Sequence, residues 1–262
     1  MKALSDDRFA RSAPAPFVIR RQVEAVTFDF WETLVLTNNA GTRSARAAAI
    51  HEALGRYGYN IDGDALELAF EHCFGLFNEA WRDNRQFTAR DAGEIVLERL
   101  AAGIVGEARE AGIAAFAEGA AGIDVRLADH VEETLIALKE REIRLGIICD
   151  VGLTPSPALR GYLAAHGVLD LFDYWSFSDE VGAYKPDRRI FEHALAGLGG
   201  IEVARAVHVG DLRRTDVAGS KSMGMTSVRY RGAFDDPAVA NALEGDHVID
   251  DHADLLAVLG LA

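Results

Sequence analysis

Val26-Thr27-Phe28-Asp29-Phe30-Trp31-Glu32-Thr33-Leu34 is the stretch on which the reading of this chain turns. From Val23 to Phe30 the residues are almost continuously apolar, the mark of a strand buried on both faces, and such strands belong to parallel sheets covered by helices. Asp29 stands where the strand ends. A carboxylate there serves either as a loop or helix cap, or as a reactive group delivered to the crevice at the C-terminal edge of an open α/β sheet. The rest of the chain separates these readings.

The same design recurs downstream. Ile147-Ile148-Cys149-Asp150 and Val207-His208-Val209-Gly210-Asp211 are apolar runs ending in polar residues, and Asp216 follows the second of them. Between them lies Ala183-Tyr184-Lys185-Pro186-Asp187, where the proline biases Lys185 toward an extended conformation and can itself begin a helix. From Asp129 onward the pattern alternates. Helical spacing over 129–141, 159–166, 188–197, 216–223 and 254–259 is interleaved with strands over 143–149, 174–178, 206–209, 227–230 and 247–249. Alternation of this kind implies right-handed βαβ crossovers and an α/β fold with an open, parallel, Rossmann-like sheet flanked by helices.

One block breaks the alternation. Residues 45–57, 64–81, 89–100 and 107–117 carry apolar residues at helical spacing, with Gly58, Gly63, Gly103 and Gly106 near the gaps and no convincing strand. Four helices in series read as a small bundle inserted into the sheet-forming chain. The organisation expected is a tail over residues 1–22, a core from 23–37 and 126–262, and a helical insertion over 38–125.

Composition sets the outer limits. Net charge is −14, which argues against a nucleic-acid or anionic-membrane partner, although a metal and one lysine can still set a local field for a small anionic substrate. Cys73 and Cys149 are the only cysteines, too few for a disulfide scaffold and suited to a reducing compartment. Residues 1–16 lack an apolar run of signal-peptide type, and Arg20-Arg21 precedes a segment broken by Glu24 and Asp29. A cytoplasmic protein is expected. Oligomeric state is unreadable, with a homodimer through the helical block left open.

Taken in order, the four segments resemble the motifs of the haloacid dehalogenase (HAD)-like hydrolases, a family of aspartate-nucleophile enzymes with a helical cap between the first and second motifs. The cap matches in position and helicity. The resemblance implies that Asp29 is the nucleophile, forming an aspartyl-phosphate or ester that water cleaves. It implies a Mg²⁺ held by the Asp29 side chain, the Trp31 backbone carbonyl and Asp211, with Asp216 in support, and oxygen donors are what Mg²⁺ takes. Lys185 would balance charge on Asp29 and on a transferring phosphoryl group. Thr33, Cys149, Asp150 and Lys185 fall at substrate-contacting positions.

Two departures stand out. The family usually carries Ser or Thr where this chain has Cys149, a poorer donor, and no His or Arg adjoins it in sequence to activate the thiol. Trp31 occupies the place of the general acid that protonates a leaving oxygen, a function typically worth about 10²–10⁴-fold, and indole cannot supply it. Glu32 is the adjacent carboxylate. A small-metabolite phosphatase is therefore the leading expectation from the acidic pair, with a 2-haloacid dehalogenase, whose halide leaves unprotonated and whose branch generally lacks that pair, as the alternative. A catalytically silent protein that binds metal and ligand is the third.

Overall fold

The computed structural model describes residues 22–100, 103–237 and 243–262; the expected tail falls, but for Gln22, outside the described residues. Six strands form one parallel sheet: β1 (Ala25–Phe28), β4 (Arg144–Cys149), β5 (Tyr174–Phe177), β6 (Ala206–Gly210), β7 (Thr226–Tyr230) and β8 (His247–Ile249). Their spatial order is β5-β4-β1-β6-β7-β8. The chain leaves β1 toward β4 and β5, then returns to the other side of β1 for β6, β7 and β8. That reversal puts a crevice beside the C-terminal end of β1, where open sheets of this class hold ligands. Asp29 sits there, its N–H still donating to Val209 at 2.8 Å across from β6.

Alternation along each strand fills both faces. Ile147 and Cys149 belong to the larger hydrophobic cluster with Val26, Phe28, Val207 and Val209, which packs on α5 (Val131–Lys139) and α6 (Ser156–Ala165). Ile148, between them, belongs to a second cluster with Ile190, Phe191 and Leu195 of α8 (Arg188–Gly197) and with Met225, which follows α9 (Ala218–Met223). The short α7 (Ser178–Val181) and α10 (Leu255–Val258) complete the described α-helices of this part.

Between β1 and β4 the chain builds α1 (Asn39–Gly55), α2 (Gly63–Arg82), α3 (Ala89–Leu100) and α4 (Gly106–Glu118). Asn38 caps α1 by accepting from Gly41 N–H at 2.9 Å, and Asp62 caps α2 by accepting from Ala65 N–H at 3.1 Å. These helices enclose a core of their own, including Ile50, Leu54, Phe70, Val96, Leu97 and Phe116, with Leu153 inserted from the loop after β4. The chain enters and leaves the bundle through a two-stranded antiparallel ribbon, β2 (Val35–Leu36) against β3 (Arg126–Leu127). Two residues per strand are too few to leave a periodic trace in sequence, which is why this ribbon was not anticipated.

A second difference lies after β6. A helix was expected from Asp216, but the chain first makes a π-helical turn, Arg213–Val217, before α9. The Asp216 carboxylate accepts from the Leu212 N–H at 3.0 Å and so closes that wide turn on itself. Asp216 is thereby inside the turn, 2% exposed, rather than an exposed charge at a helix start.

Candidate active site

Three carboxylates converge where β1 and β6 end. One oxygen each from Asp29, Asp211 and Asp216 lies within 4.8 Å of the others, and all three residues are buried. Gly210 permits the approach: a Cβ there would lie 2.4 Å from Asp216 Cγ. Lys185 reaches into the cluster from the loop before α8, through a cis peptide to Pro186. Its ammonium donates to Asp29 Oδ1, to Asp216 Oδ1 at 2.7 Å and to the Ile148 carbonyl at 3.0 Å, so every proton on Nζ has an acceptor.

The electrostatics follow from these contacts. Burial penalises each charge, and the three carboxylates repel one another. Asp216 has the best partners: despite burial, the charge of Lys185 and then the hydrogen bond of His208, whose Nε2 lies 3.1 Å away, hold its pKa well below the usual range. Asp211 is pushed up to about 9 by burial and by Asp216 and Asp29. Asp29 is raised to about 7, chiefly by burial, with Lys185 opposing. Lys185 is lifted well above its ordinary value because its acidic neighbours outweigh its own burial. Fully ionised, the three carboxylates outnumber the one ammonium beside them, and Asp29 and Asp211 therefore keep their protons to unusually high pH. Hard oxygen donors at this spacing, short of positive charge, suit a divalent ion of the Mg²⁺ type.

The other expected site residues separate into two groups. Asp150 is at the crevice, where its carboxylate accepts from Lys185 N–H at 2.9 Å and from Trp81 Nε1 at 3.1 Å, with its pKa raised to about 6 chiefly by burial. Trp31 and Glu32 both line the crevice. Glu32 does so because its backbone is left-handed, φ 54°, and its carboxylate accepts from the Thr37 N–H at 3.1 Å. Trp31 stands edge-on to Phe30 and Tyr162 and donates to the Val151 carbonyl at 3.4 Å.

Thr33 and Cys149, expected at substrate-contacting positions, do not line the crevice. Thr33 is folded under the turn with no exposure, its hydroxyl has no partner among the described residues, and its carbonyl accepts from His252 Nε2. Cys149 is sealed in the larger core cluster, and burial first, then Asp29, push its thiol well above its ordinary pKa. The sheet explains both positions: neighbouring strands cover Cys149, the last residue of β4, the tight turn after β1 covers Thr33, and the residues just past the strands, Asp29, Asp150 and Asp211, open to the crevice.

Helix α2 closes the crevice from the other side. Trp81 bonds Asp150 from above, and the Arg214 guanidinium stacks on its ring at 3.9 Å. Phe77, Asn78 and Trp81 form the cap wall, with Phe234 at the far rim, around a cavity of about 770 Å³. Around the same helical wall, Arg43 and Trp81 reach cavity walls, whereas Arg82 turns back to the Asn78 carbonyl and Arg85 pairs with Asp83 at the surface. The Asp150–Trp81–Arg214 contact had no sequence signal, because its members come from three separate parts of the chain.

A buried strand-end aspartate held by a lysine beside two further carboxylates is an arrangement that can carry nucleophilic displacement, with a cationic neighbour able to stabilise charge on a transferred group. The comparisons with known proteins agree. The family model for haloacid dehalogenase-like hydrolases matches residues 23–224, and the chain belongs to that family. It is 28% identical over 249 residues to the human haloacid dehalogenase-like hydrolase domain-containing protein 3, covering 92% of this chain and 95% of the relative. It is 27% identical over 240 residues to a glyceraldehyde 3-phosphate phosphatase of Pyrococcus furiosus, covering 91% and 94%. A solved structure, a 2-haloacid dehalogenase from Pseudomonas syringae, shares the fold with a TM-score of 0.65 at 22% identity, covering 91% of this chain and 99% of that one. No helix among the described residues is long and apolar enough to cross a membrane.

Proposed function

We propose that this hydrolase is a Mg²⁺-dependent phosphatase of small phosphorylated metabolites, acting through an aspartyl-phosphate on Asp29. The observation that carries the reading is the buried carboxylate cluster of Asp29, Asp211 and Asp216, because three carboxylates beside one ammonium can all ionise at neutral pH only with a further cation, such as a metal, among them. A C–halogen displacement has no use for that cluster, since halide leaves without metal or proton. The phosphatase relative of similar length supports the same side.

In this reading Asp29 attacks phosphorus, the ester oxygen departs, and water then cleaves the aspartyl-phosphate. Asp211, the Asp29 carboxylate and the Trp31 carbonyl would hold Mg²⁺, which when bound neutralises charge on the phosphoryl oxygens. Asp216 acts mainly by holding Lys185, and Lys185 opposes the rise in the Asp29 pKa while offering its charge to the phosphoryl group. Asp150 fixes the backbone at Lys185. Residues 38–125 form the cap, which excludes water when closed. Trp31 supplies no proton, so esters with good leaving groups, aryl and acyl phosphates, react best.

The test is a screen of purified protein against phosphate esters and 2-haloacids, with Mg²⁺ and with EDTA. Phosphate release that EDTA abolishes is the expected result. Halide release independent of Mg²⁺ would transfer the assignment to the dehalogenase chemistry.

A further inference from the structure

Beside the acidic crevice lies a second cavity of about 640 Å³. The two share Trp31, Thr37, Asn39, Phe77, Asn78 and Gly152 as walls, so they form two chambers of one cleft with the Trp31 indole between them. The second chamber has the opposite charge. In a protein with 41 acidic and 27 basic residues, Arg43 and Arg46 line it and no Asp or Glu does, among the described residues.

Arg46 is the unusual member. It is 3% exposed, and no carboxylate lies within ion-pair distance among the described residues. Its guanidinium donates only to neutral oxygens: the Phe116 and Leu153 carbonyls and Thr154 Oγ1. Burial lowers its pKa to about 10, so it is still charged at neutral pH. Unpaired buried charge is costly and is ordinarily compensated by an opposite charge. The start of α1, at Asn39 and Ala40, lines the same chamber and adds the positive end of a 17-residue helix dipole.

We propose that this chamber is the specificity site for a second anionic group on the substrate, with Arg46 as its recognition residue. The substrate is then a phosphate monoester whose phosphoryl group lies at Asp29 and whose tail passes between Trp31 and Phe77 to end in a carboxylate or second phosphate at Arg46. The aromatic walls of the passage favour an apolar or planar spacer. This assignment rests on the phosphatase reading for the position of the phosphoryl group. Arg43, which is paired with Glu67 at 2.6 Å, stands at the rim.

The experiment compares 3-(4-phosphonooxyphenyl)propanoate with its propanamide, two aryl esters with the same spacer and leaving group that differ in terminal charge. The wild type is expected to prefer the carboxylate at least about tenfold in kcat/KM, the scale of one charge-assisted contact. Arg46→Met should bring that ratio close to one, and Arg46→Lys should retain part of it. A terminal phosphate in place of the carboxylate shows which anion fits better. A wild-type ratio near one, or a ratio untouched by Arg46→Met, overturns the assignment. So does an equal loss on both esters with a lowered Tm, the result of a purely structural arginine. Should neither ester release phosphate, the phosphatase reading fails separately. The pair is then titrated calorimetrically into Asp29→Asn protein, where tighter carboxylate binding lost in the added Arg46→Met change upholds the chamber and equal binding overturns it.

Discussion

The core wall of the cleft and its cap wall handle charge in opposite ways. On the core side, three carboxylates and a lysine are brought together past the ends of parallel strands, and two of the carboxyls keep their protons to high pH for want of positive charge. On the cap side, Arg43 and Arg46 occupy one face of α1, three residues apart, and the buried one has only neutral oxygens for partners. Trp31 stands at the boundary. In the proposed function the contrast separates two tasks: the core would supply the reacting atoms and a metal site, and the cap a positive field that selects what else the substrate carries.

The comparison is broken most severely at Asp29. Asp29→Asn should reduce turnover by at least about a thousandfold, as expected for removal of a nucleophile, while circular dichroism shows an intact fold. Activity within tenfold of the wild type would remove Asp29 from the covalent step.

The negative charge of the core wall makes metal binding pH-dependent. In an unfolded chain Asp29 and Asp211 ionise near pH 4. In the fold they do so only at about 7 and about 9. Over that interval the metal-free folded protein holds protons that the unfolded chain has lost, so stability falls as pH rises from about 4 toward 9. Mg²⁺ bound at the cluster, as proposed, would relieve that penalty and displace the protons. The gain in Tm on adding Mg²⁺ should therefore be larger at pH 8.5 than at pH 5.5, and calorimetry in buffers of different ionisation enthalpy should register proton release. In Asp211→Asn both effects should be greatly reduced. An equal Tm gain at the two pH values would show that the cluster is already neutralised without metal.

The boundary residue is tested by Trp31→Asp. Alkyl phosphates, whose leaving oxygen needs a proton, should gain about tenfold, a cautious part of the usual acid-base contribution, and aryl phosphates should gain little. Because Trp31 is only half-buried, the variant should lose about 1–2 kcal/mol of stability, less than a fully buried indole would cost. Unchanged alkyl turnover in a folded, Mg²⁺-binding variant would mean that Trp31 is a packing residue and not the gap left by an acid.

Contact between the walls gives a smaller effect. Trp81→Phe keeps an aromatic ring for Arg214 but removes the bond to Asp150, worth about 1–3 kcal/mol for a charged acceptor. Hydrogen exchange near the β2/β3 ribbon should quicken in this variant, with a few-fold change in kcat. Exchange there as slow as in the central strands, with or without the substitution, would mean that the walls do not part. The smallest effect is expected at Thr33, whose buried hydroxyl has no partner among the described residues: Thr33→Val should change stability by less than about 0.5 kcal/mol and leave KM as it is. A raised KM would return Thr33 to the substrate.

Sequence alone was enough to place the core wall. Each of β1, β4 and β6 is an apolar run closed by a polar residue, and a parallel sheet sends such residues to one edge, so Asp29, Asp150 and Asp211 could be grouped before any geometry was known. Lys185 was legible through its order among them and through Pro186. Local sequence could not tell which strand-end residues open to ligand: Cys149 and Thr33 read as site residues, and the packing of neighbouring strands closes them off. It also could not single out Arg46. Helical spacing marks an arginine as lying on one face of α1, but burial without a counterion depends on Leu153, Thr154 and Phe116, which come from distant parts of the chain. The order of strand-end residues is a local property and survives in one dimension. The sign of the field in a cavity is a sum over residues that only the closed tertiary structure brings within reach of one another.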